Sequence, residues 1–288
     1  KPMFRITTSS GHTIDATYDH KFMTYNGWKE VQDITLNDLA AIVPYQKPLS
    51  NSSVENKTIL DAESFSSALS EQVKQSLVEK YVRELTDLGL LPLQTDDDRL
   101  PIIARMFGFS LADGTLTYHK RDLTFMLQVC FGCQYGAELF EMDIERLGLK
   151  KNKITYGVRS FKGSDYHTWD ICHQGILGCL FKALGMISGK KTIQKTPQMP
   201  DWIMSGSLHT KREFLSGLQG GDGCQIRSNK LKSGHNFVCA ATSMSKCGEY
   251  KQSLVDWMKD VSILFSELGI HSKIVELKQQ ADDRYQLG

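Results

Sequence analysis

The chain contains the stretch Met106-Phe107-Gly108-Phe109-Ser110-Leu111-Ala112-Asp113-Gly114 and, 109 residues later, Leu215-Ser216-Gly217-Leu218-Gln219-Gly220-Gly221-Asp222-Gly223. Each stretch has two small residues four positions apart, a spacing that puts both on one helix face. These pairs are Gly108 with Ala112 and Gly217 with Gly221. Glycine inside a helix costs about 1 kcal/mol relative to alanine, so a close contact must offset that cost. The pattern predicts two helices that pack together along their small-residue faces.

Such packing would bring Asp113 and Asp222 side by side at the helix C-termini. The helix dipole disfavours a carboxylate there by about 0.3 to 1 kcal/mol, so stability alone does not explain the two acids. Paired carboxylates suit a hard divalent cation, and backbone carbonyls at the helix ends would add oxygen ligands. Asp-Gly is also a common turn dipeptide, but these are the only two Asp-Gly pairs in the chain. The sequence favours a metal site over two ordinary turns.

From residue 100 onward, the periodicity predicts the order αββαββα twice. In the first copy a helix ends at Asp113, and the following strands and helices are expected at 115–119, 123–131, 137–147, 153–159, 166–172 and 176–184. In the second copy a helix ends at Asp222, and further elements are expected at 225–228, 237–242, 250–268 and from 273 and 284 onward. We expect an α+β fold with two pseudo-symmetric repeats, over 100–190 and 191–288, the second truncated at its C-terminal end.

At residues 106–114 and 215–223 the chain resembles the LAGLIDADG homing endonucleases, although Leu111 and Gly220 replace the earlier acid of their nine-residue motif. The resemblance, which covers residues 100–288, implies that the motif helices form the interface between the repeats. It also implies a saddle of antiparallel strands in the DNA major groove, with Asp113 and Asp222 each binding Mg²⁺ beside a scissile phosphate. The implied activity is site-specific double-strand cleavage by a monomer at a long DNA target.

The same resemblance implies an active-site lysine just before the proline that leads into the second motif helix. Here Pro197 stands three residues before Pro200, so Lys195 is the nearest basic residue and Lys191 the next. Both lysines are candidates for the active site. A simple phosphate contact or a solvated surface position is the alternative for each.

Base recognition is expected on alternate residues of the strands that follow each Asp-Gly pair, because one strand face meets DNA and the other meets the helices. Side chains suited to phosphates or base edges occur at Thr117, His119, Arg121, Gln128, Ser228, Lys230 and Lys232. Taken singly, each residue is equally compatible with an ordinary exposed strand position.

Residues 3–43 alternate like short strands, and Tyr25-Asn26-Gly27-Trp28 contains the Asn-Gly pair typical of a tight hairpin. Residues 11–42 resemble block B of an intein, the Hint splicing fold, with Thr17-Tyr18-Asp19-His20 as its Thr-x-x-His. This resemblance implies that Thr17 and His20 polarise the peptide bond at an upstream splice junction, and a plain strand-end histidine is the alternative. We expect residues 1–45 to be a partial Hint segment of a processed or fragmentary chain. It should not splice alone, since no Cys or Ser opens it and no His-Asn pair closes it.

Residues 46–99 are predicted to form a polar linker followed by a helix. From Asp61 onward, apolar residues recur every three or four positions, from Phe65 to Leu88, until Gly89 and Pro92 end the pattern. The spacing predicts one continuous amphipathic helix.

Composition narrows the classes of protein to consider. The 288 residues are 41% hydrophobic and 23% charged, which is enough for a core and excludes wholesale disorder. No apolar run reaches the roughly 18 residues of a membrane helix, and seven cysteines in a chain of this size favour a reducing, cytoplasmic location. Cys130, Cys133, Cys172 and His173 partly match zinc-ligand spacing, but small buried residues at a strand end are the favoured interpretation.

Basic residues are concentrated in the second part of the chain. Residues 1–99 carry 10 Lys and Arg against 15 Asp and Glu, whereas residues 100–288 carry 24 against 18. A basic surplus on this part suits a nucleic-acid partner. The two resemblances together imply an intein-encoded, Mg²⁺-dependent DNA endonuclease. The alternatives are a catalytically impaired nucleic-acid-binding protein on the same scaffold, either maturase-like or a degenerate intein insert, and a splicing domain that acts in trans.

Overall fold

The computed structural model describes residues 2–9, 11, 13–41, 55–161, 163–228, 236–277 and 284–288. By its internal contacts the chain divides into two compact units. The first unit comprises residues 1–45 and 223–241, and the second comprises residues 46–222 and 242–288. Within the described part of the chain, no helix combines the length and apolar character needed to cross a membrane.

Strands come first along the chain, and the first described α-helix begins after residue 60. The elements before residue 100 are β1 (Met3–Thr7), β2 (Thr13–Thr17), β3 (Lys21–Thr24), β4 (Gly27–Glu30), β5 (Thr58–Leu60), α1 (Ala62–Leu69), α2 (Gln75–Asp87) and β6 (Leu93–Gln94). The next elements are α3 (Leu100–Asp113), β7 (Gly114–His119), β8 (Thr124–Phe131), α4 (Gln134–Arg146), β9 (Thr155–Phe161), β10 (Ser164–Gln174), α5 (Ile176–Ala183) and α6 (Asp201–Met204). The remaining elements are α7 (Leu208–Asp222), β11 (Gly223–Cys224), β12 (Arg227–Ser228), β13 (Phe237–Val238), β14 (Ala241–Thr242), β15 (Met244–Cys247), α8 (Lys251–Glu267), β16 (Glu276–Leu277) and β17 (Arg284–Leu287).

The first unit contains two antiparallel strand pairs near its N-terminus, β1 with β2 and β3 with β4. The predicted hairpin is present, but its centre differs by one residue. Thr24 lies opposite Gly27, so Tyr25 and Asn26 form the turn, and Gly27 takes a φ of +103°. The Thr24 hydroxyl donates a hydrogen bond to the Gly27 carbonyl at 2.7 Å, which closes the turn around Tyr25 and Asn26.

The apolar stripe from Phe65 to Leu88 belongs to two helices, so the prediction of one continuous helix is wrong. The helix α1 begins where the Asp61 carboxylate accepts from the Ser64 amide at 2.8 Å, and it ends at Leu69. The amide of Lys74 donates to the Leu123 carbonyl, outside both helices, and α2 begins at the next residue. This long-range bond replaces the helical bond that a continuous helix would make at Lys74.

Four strands of the second unit form an antiparallel sheet in the order β7-β8-β10-β9. Its register places Leu116 opposite Leu127, and Ile171 opposite Val129, all buried on the side that contacts α4 and α5. The neighbouring positions on each strand point to the other side, which we call the open face of the sheet. The run α3-β7-β8-α4-β9-β10-α5 has the predicted order αββαββα.

The part of the chain after α7 has shorter strands than predicted. Each strand from β11 to β14 has two residues, whereas the sequence predicted strands over 225–228 and 237–242. The strands β15, β17 and β16 form a small antiparallel sheet beside α8. The structure thus confirms an α+β fold with antiparallel sheets, and the pseudo-symmetry of the two halves stays a prediction.

Candidate active site

The helices α3 and α7 pack backbone against backbone at their glycines. A side-chain carbon at Gly108 would overlap the carbonyl oxygen of Phe214 on α7. One at Gly217 would overlap the Arg105 carbonyl oxygen and lie 2.8 Å from the Phe109 nitrogen. Only hydrogen fits at either position, so these glycines permit the close approach of the two helices.

An ion-pair cluster joins three helices closer to the N-terminal end of this contact. The Arg105 guanidinium donates to both Asp143 oxygens of α4, through Nε at 3.0 Å and Nη2 at 2.8 Å. Its Nη1 pairs with Glu213 of α7. The cluster ties α3 to both partners well away from the two motif aspartates.

At the other end of the contact, the C-termini of the two helices meet. A side-chain carbon at Gly221 would overlap the Ala112 Cβ and lie 3.4 Å from the Asp113 Cγ. The residue before Asp222 therefore touches Asp113. The two aspartates lie at one end of the helix pair, close enough to affect each other electrostatically.

The surroundings of both carboxyl groups disfavour their charge. Burial raises the pKa of Asp222 to about 6, with a smaller push from the Asp113 carboxylate and an opposing pull from Lys191. Packed protein around Asp113 also raises the pKa of that carboxyl, again opposed by Lys191. The site therefore holds two acids whose negative charge is incompletely balanced by one lysine.

Lys191 is the lysine that the structure brings to this site. Its Nζ donates to the carbonyl oxygens of Leu111 and Ala112, at 2.5 and 2.7 Å, which lie in the last turn of α3. Burial lowers the pKa of Lys191 to about 8, against the attraction of the two carboxylates. These carbonyls were expected as metal ligands, but the ammonium occupies them because helix-end carbonyls lack partners within the helix. Lys195 is exposed and does not enter the electrostatics of either aspartate.

Lys246 of β15 supports Lys191 and was missed by the sequence reasoning. It is buried, and its Nζ donates to the backbone carbonyls of Lys191 and of Gln194, the latter at 3.1 Å. A lysine within a short strand carries no sequence signal for such a role. The bonds fix the short turn that carries Lys191.

The residues predicted to bind DNA have different locations. Thr117 and His119 on β7 and Gln128 on β8 share the open face of the sheet, and His119 Nδ1 lies 2.6 Å from an Asp122 oxygen. Arg121 is exposed in the turn between these strands. Ser228 belongs to the first unit, where it pairs with Phe237. Lys230 and Lys232 lie outside the described residues.

Thr17 and His20, the predicted splicing residues, stand at the two ends of one turn in the first unit. The His20 amide donates to the Thr17 carbonyl at 3.0 Å, and the His20 carbonyl accepts from the Val31 amide. The imidazole meets the Phe22 ring edge-on, with 5.2 Å between ring centroids. The turn keeps both residues at the end of β2.

The candidate zinc ligands do not come together. In the parts of the chain that the structure describes, no three or more His, Cys, Asp or Glu side chains are grouped as a metal site. Cys130, Cys133 and Cys172 form no disulfide. The two motif aspartates remain the candidate metal ligands.

Comparisons with known proteins give the following similarities, and no protein family model matches the chain. It is 28% identical to the tRNA-splicing ligase RtcB of Methanocaldococcus jannaschii over 96% of its own length and 28% of that protein. In the same organism it is 26% identical to the DNA-directed RNA polymerase subunit Rpo1N, over 95% of this chain and 20% of that protein. It is also 26% identical to the replication factor C small subunit there, over 94% of this chain and 18% of that protein. The chain thus spans less than a third of each of these relatives.

Among solved structures, variants of the homing endonuclease I-DmoI align at 14% sequence identity and a TM-score of 0.40, over 66% of this chain and 89% of that one. The homing endonuclease I-WcaI, bound to its DNA recognition sequence, aligns at 14% identity and a TM-score of 0.38. That alignment covers 65% of this chain and 75% of that one.

Proposed function

We propose that this chain is a LAGLIDADG-type endonuclease carried by an intein. It hydrolyses both strands of a specific DNA duplex, with Mg²⁺ held by Asp113 and Asp222. The observation that carries the proposal is the meeting of these two acids at one end of a glycine-packed helix pair. Lys191 lies beside them, and its charge lowers the pKa of both carboxyls against the effect of burial.

The donor set fits a hard divalent cation. Burial raises the pKa of both carboxyls, and Lys191 supplies one positive charge for two acids, so a cation has a net negative site to neutralise. Carboxylate oxygens are the ligands that Mg²⁺ prefers, with water and phosphate oxygens filling the other positions. When bound, the ion would supply Lewis-acid activation of water and offset charge on the phosphate.

Lys191 is proposed to stabilise negative charge on the phosphate undergoing hydrolysis. Its two hydrogen bonds to the end of α3 fix the ammonium next to the aspartates, and Lys246 fixes the backbone that carries it. A preorganised charge of this kind costs no rearrangement as the transition state forms. Lys195, exposed on the segment that follows, is proposed to contribute no more than a phosphate contact.

The relatives support an inserted element with an activity of its own. Three proteins of one organism share this segment, and their names describe an RNA ligase, an RNA polymerase subunit and a replication factor. Their shared segment occupies 18 to 28% of each protein. Because the three names describe different activities, none of those activities is expected of the segment that the proteins share. Ligation is therefore disfavoured as the function of this chain. An intein-borne endonuclease accounts for such a distribution.

Selection from a randomised duplex library tests the proposal. The protein should select a long, specific site, cut both strands of it with Mg²⁺ and bind without cutting when Ca²⁺ replaces Mg²⁺. Selective binding with no cleavage in Mg²⁺ would instead favour a binding protein without nuclease activity. The presence of Pro197 where a lysine is expected before Pro200 is the observation that favours this second candidate.

A further inference from the structure

The open face of the four-stranded sheet extends well beyond the predicted contact residues. Gln128 lies opposite Cys172, and Cys130 lies opposite Asp170, which in turn lies opposite Thr155 of β9. Continuing the pairing of β7 with β8 by one residue brings Asp113 level with Cys130. Since neighbouring strands lie about 4.8 Å apart, Asp170 stands roughly 10 Å from the proposed active site along this row.

One arginine on this face is held in a fixed position. Arg159 Nη2 lies 2.9 Å from both oxygens of Asp170, although Arg159 itself stands opposite Tyr166. The pair of residues between them is Gly157 and Thr168. The arginine side chain must therefore run along the sheet, past the Gly157 and Thr168 pair, to reach the carboxylate.

Two details agree with this path. Thr168 is only 7% exposed although it belongs to the open face, as expected if the arginine covers it. Gly157 has no side chain to block this path, and a side-chain carbon there would meet only the Thr168 hydroxyl, at 3.3 Å. Asp170 also accepts from the Cys130 thiol, and burial together with this bond raises the pKa of that thiol to about 11. The carboxylate is thus held by two partners and cannot easily turn away.

We propose that Arg159 reads a guanine in the major groove close to the cleavage position, and that Asp170 positions it. This inference rests on the proposed function, since it takes the open face to be the DNA-binding face. The Arg159 side chain is 55% exposed, and in the described part of the chain its Nε and Nη1 have no hydrogen-bond partner. Nη2 also keeps a second N–H, so together with Nη1 or Nε it can offer two parallel donors to O6 and N7, the two acceptors that guanine presents in the major groove.

A base contact suits the pair better than a phosphate contact. Arg159 and Asp170 together carry no net charge, so their attraction for a phosphate is weak, and an uncompensated Asp170 would repel the DNA backbone. The N–H groups of Arg159 can still donate in fixed directions, as a contact with a base edge requires. Because Asp170 fixes the side chain before DNA arrives, less conformational entropy is lost on binding.

The test compares binding preferences in Ca²⁺, using selection from a randomised duplex library with the full chain. The wild type should require guanine at one position near the centre of its site. Arg159→Ala should lose that preference by about 10- to 100-fold, the discrimination of a good bidentate contact. Arg159→Lys, which keeps the charge but not the planar fork, should lose it as well. Arg83→Ala is the matched control, because it removes an exposed arginine of α2 that does not belong to the sheet, and it should leave the preference for guanine unchanged.

Asp170→Asn separates positioning from structure. It should weaken the preference for guanine at the same position as Arg159→Ala, but by a smaller factor. The double variant should lose no more of this preference than Arg159→Ala alone. An even loss of affinity across all positions in Arg159→Ala, or an unchanged profile, would overturn the guanine contact while leaving the endonuclease proposal intact. A wild-type protein that selects no duplex sequence at all would overturn both.

Discussion

The two motif helices end in the same dipeptide but continue into different structures. After Asp113, α3 continues into the six-residue strand β7 of a four-stranded sheet, whereas after Asp222, α7 continues into the two-residue strand β11. The glycine-faced contact is nevertheless equally tight from both sides, since Gly108 and Gly217 each meet the backbone of the other helix. The motif therefore determines the helix contact and the place of the acids, while the local sequence determines the strands that follow.

The largest effect on cleavage is expected from replacing Asp113 or Asp222. Comparing the two variants tests whether the ends of α3 and α7 are functionally equivalent. Asp113→Asn and Asp222→Asn should each lower double-strand cleavage by about 10³-fold or more, because a metal ion supplies several kcal/mol of transition-state stabilisation. DNA affinity without Mg²⁺ should stay within a few-fold of wild type. Conversion of supercoiled plasmid to nicked and linear forms measures both strands. Full double-strand cleavage by both single variants would exclude the proposed metal site.

The next effect separates the two lysines. Lys191→Met should lower the cleavage rate by about 10²-fold, as expected for loss of a fixed charge at the reacting phosphate. Lys195→Met should change it by less than about threefold, because an exposed phosphate contact contributes little to the rate. Single-turnover cleavage with saturating protein measures the rate apart from binding. Equal losses of cleavage rate in the two variants would contradict the assignment of Lys191, rather than Lys195, to the active site.

Stability should respond to two glycines of α7 in opposite directions. Gly217→Ala forces a carbon into the Arg105 carbonyl and should lower the free energy of unfolding by about 3 kcal/mol. Gly220→Ala meets only the Phe109 ring, at 3.5 Å, and should raise the free energy by about 0.5 to 1 kcal/mol through helix propensity. Chemical denaturation of both variants provides the comparison. Similar losses in both would show that α7 does not use one face for this contact.

The smallest effect is the pH dependence that Asp222 gives to stability. Its pKa is about 6 in the folded chain and near 3.8 when unfolded, so the folded state binds more protons between these values. The stability that this group contributes is complete below about pH 4 and is lost as the pH rises through 6. In EDTA, Asp222→Asn should match wild type at pH 4 and exceed it by about 1 to 2 kcal/mol at pH 8. Denaturation curves across this range measure the difference, and a constant offset would mean that the carboxyl is not buried as described.

Local spacing was enough to predict the features that depend on one helix. The four-residue spacing of small residues identifies the faces that meet, and the Asp-Gly pairs identify the ends. Alternation along β7 and β8 places Thr117 and Gln128 on one sheet face, because side-chain direction in a strand repeats every two residues.

Features that depend on distant segments could not be predicted. The break between α1 and α2 follows a bond from Lys74 to Leu123, and the apolar spacing runs across it unchanged. The choice of Lys191 over Lys195 depends on which turn Lys246 fixes, 55 residues further along the chain. The Arg159 and Asp170 pair depends on the register of β9 against β10, which cannot be read from the sequence of either strand alone.

The most direct measurement is X-ray diffraction, at the manganese absorption edge, from crystals of the protein bound to its selected duplex with Mn²⁺. If the glycine-packed helices bring Asp113 and Asp222 together as one cation-binding centre, anomalous density should lie about 2 to 2.5 Å from an oxygen of each carboxylate, beside a backbone phosphate. Carboxylates that face separate surroundings, with manganese bound elsewhere or not at all, would contradict the shared site and the nuclease activity built on it.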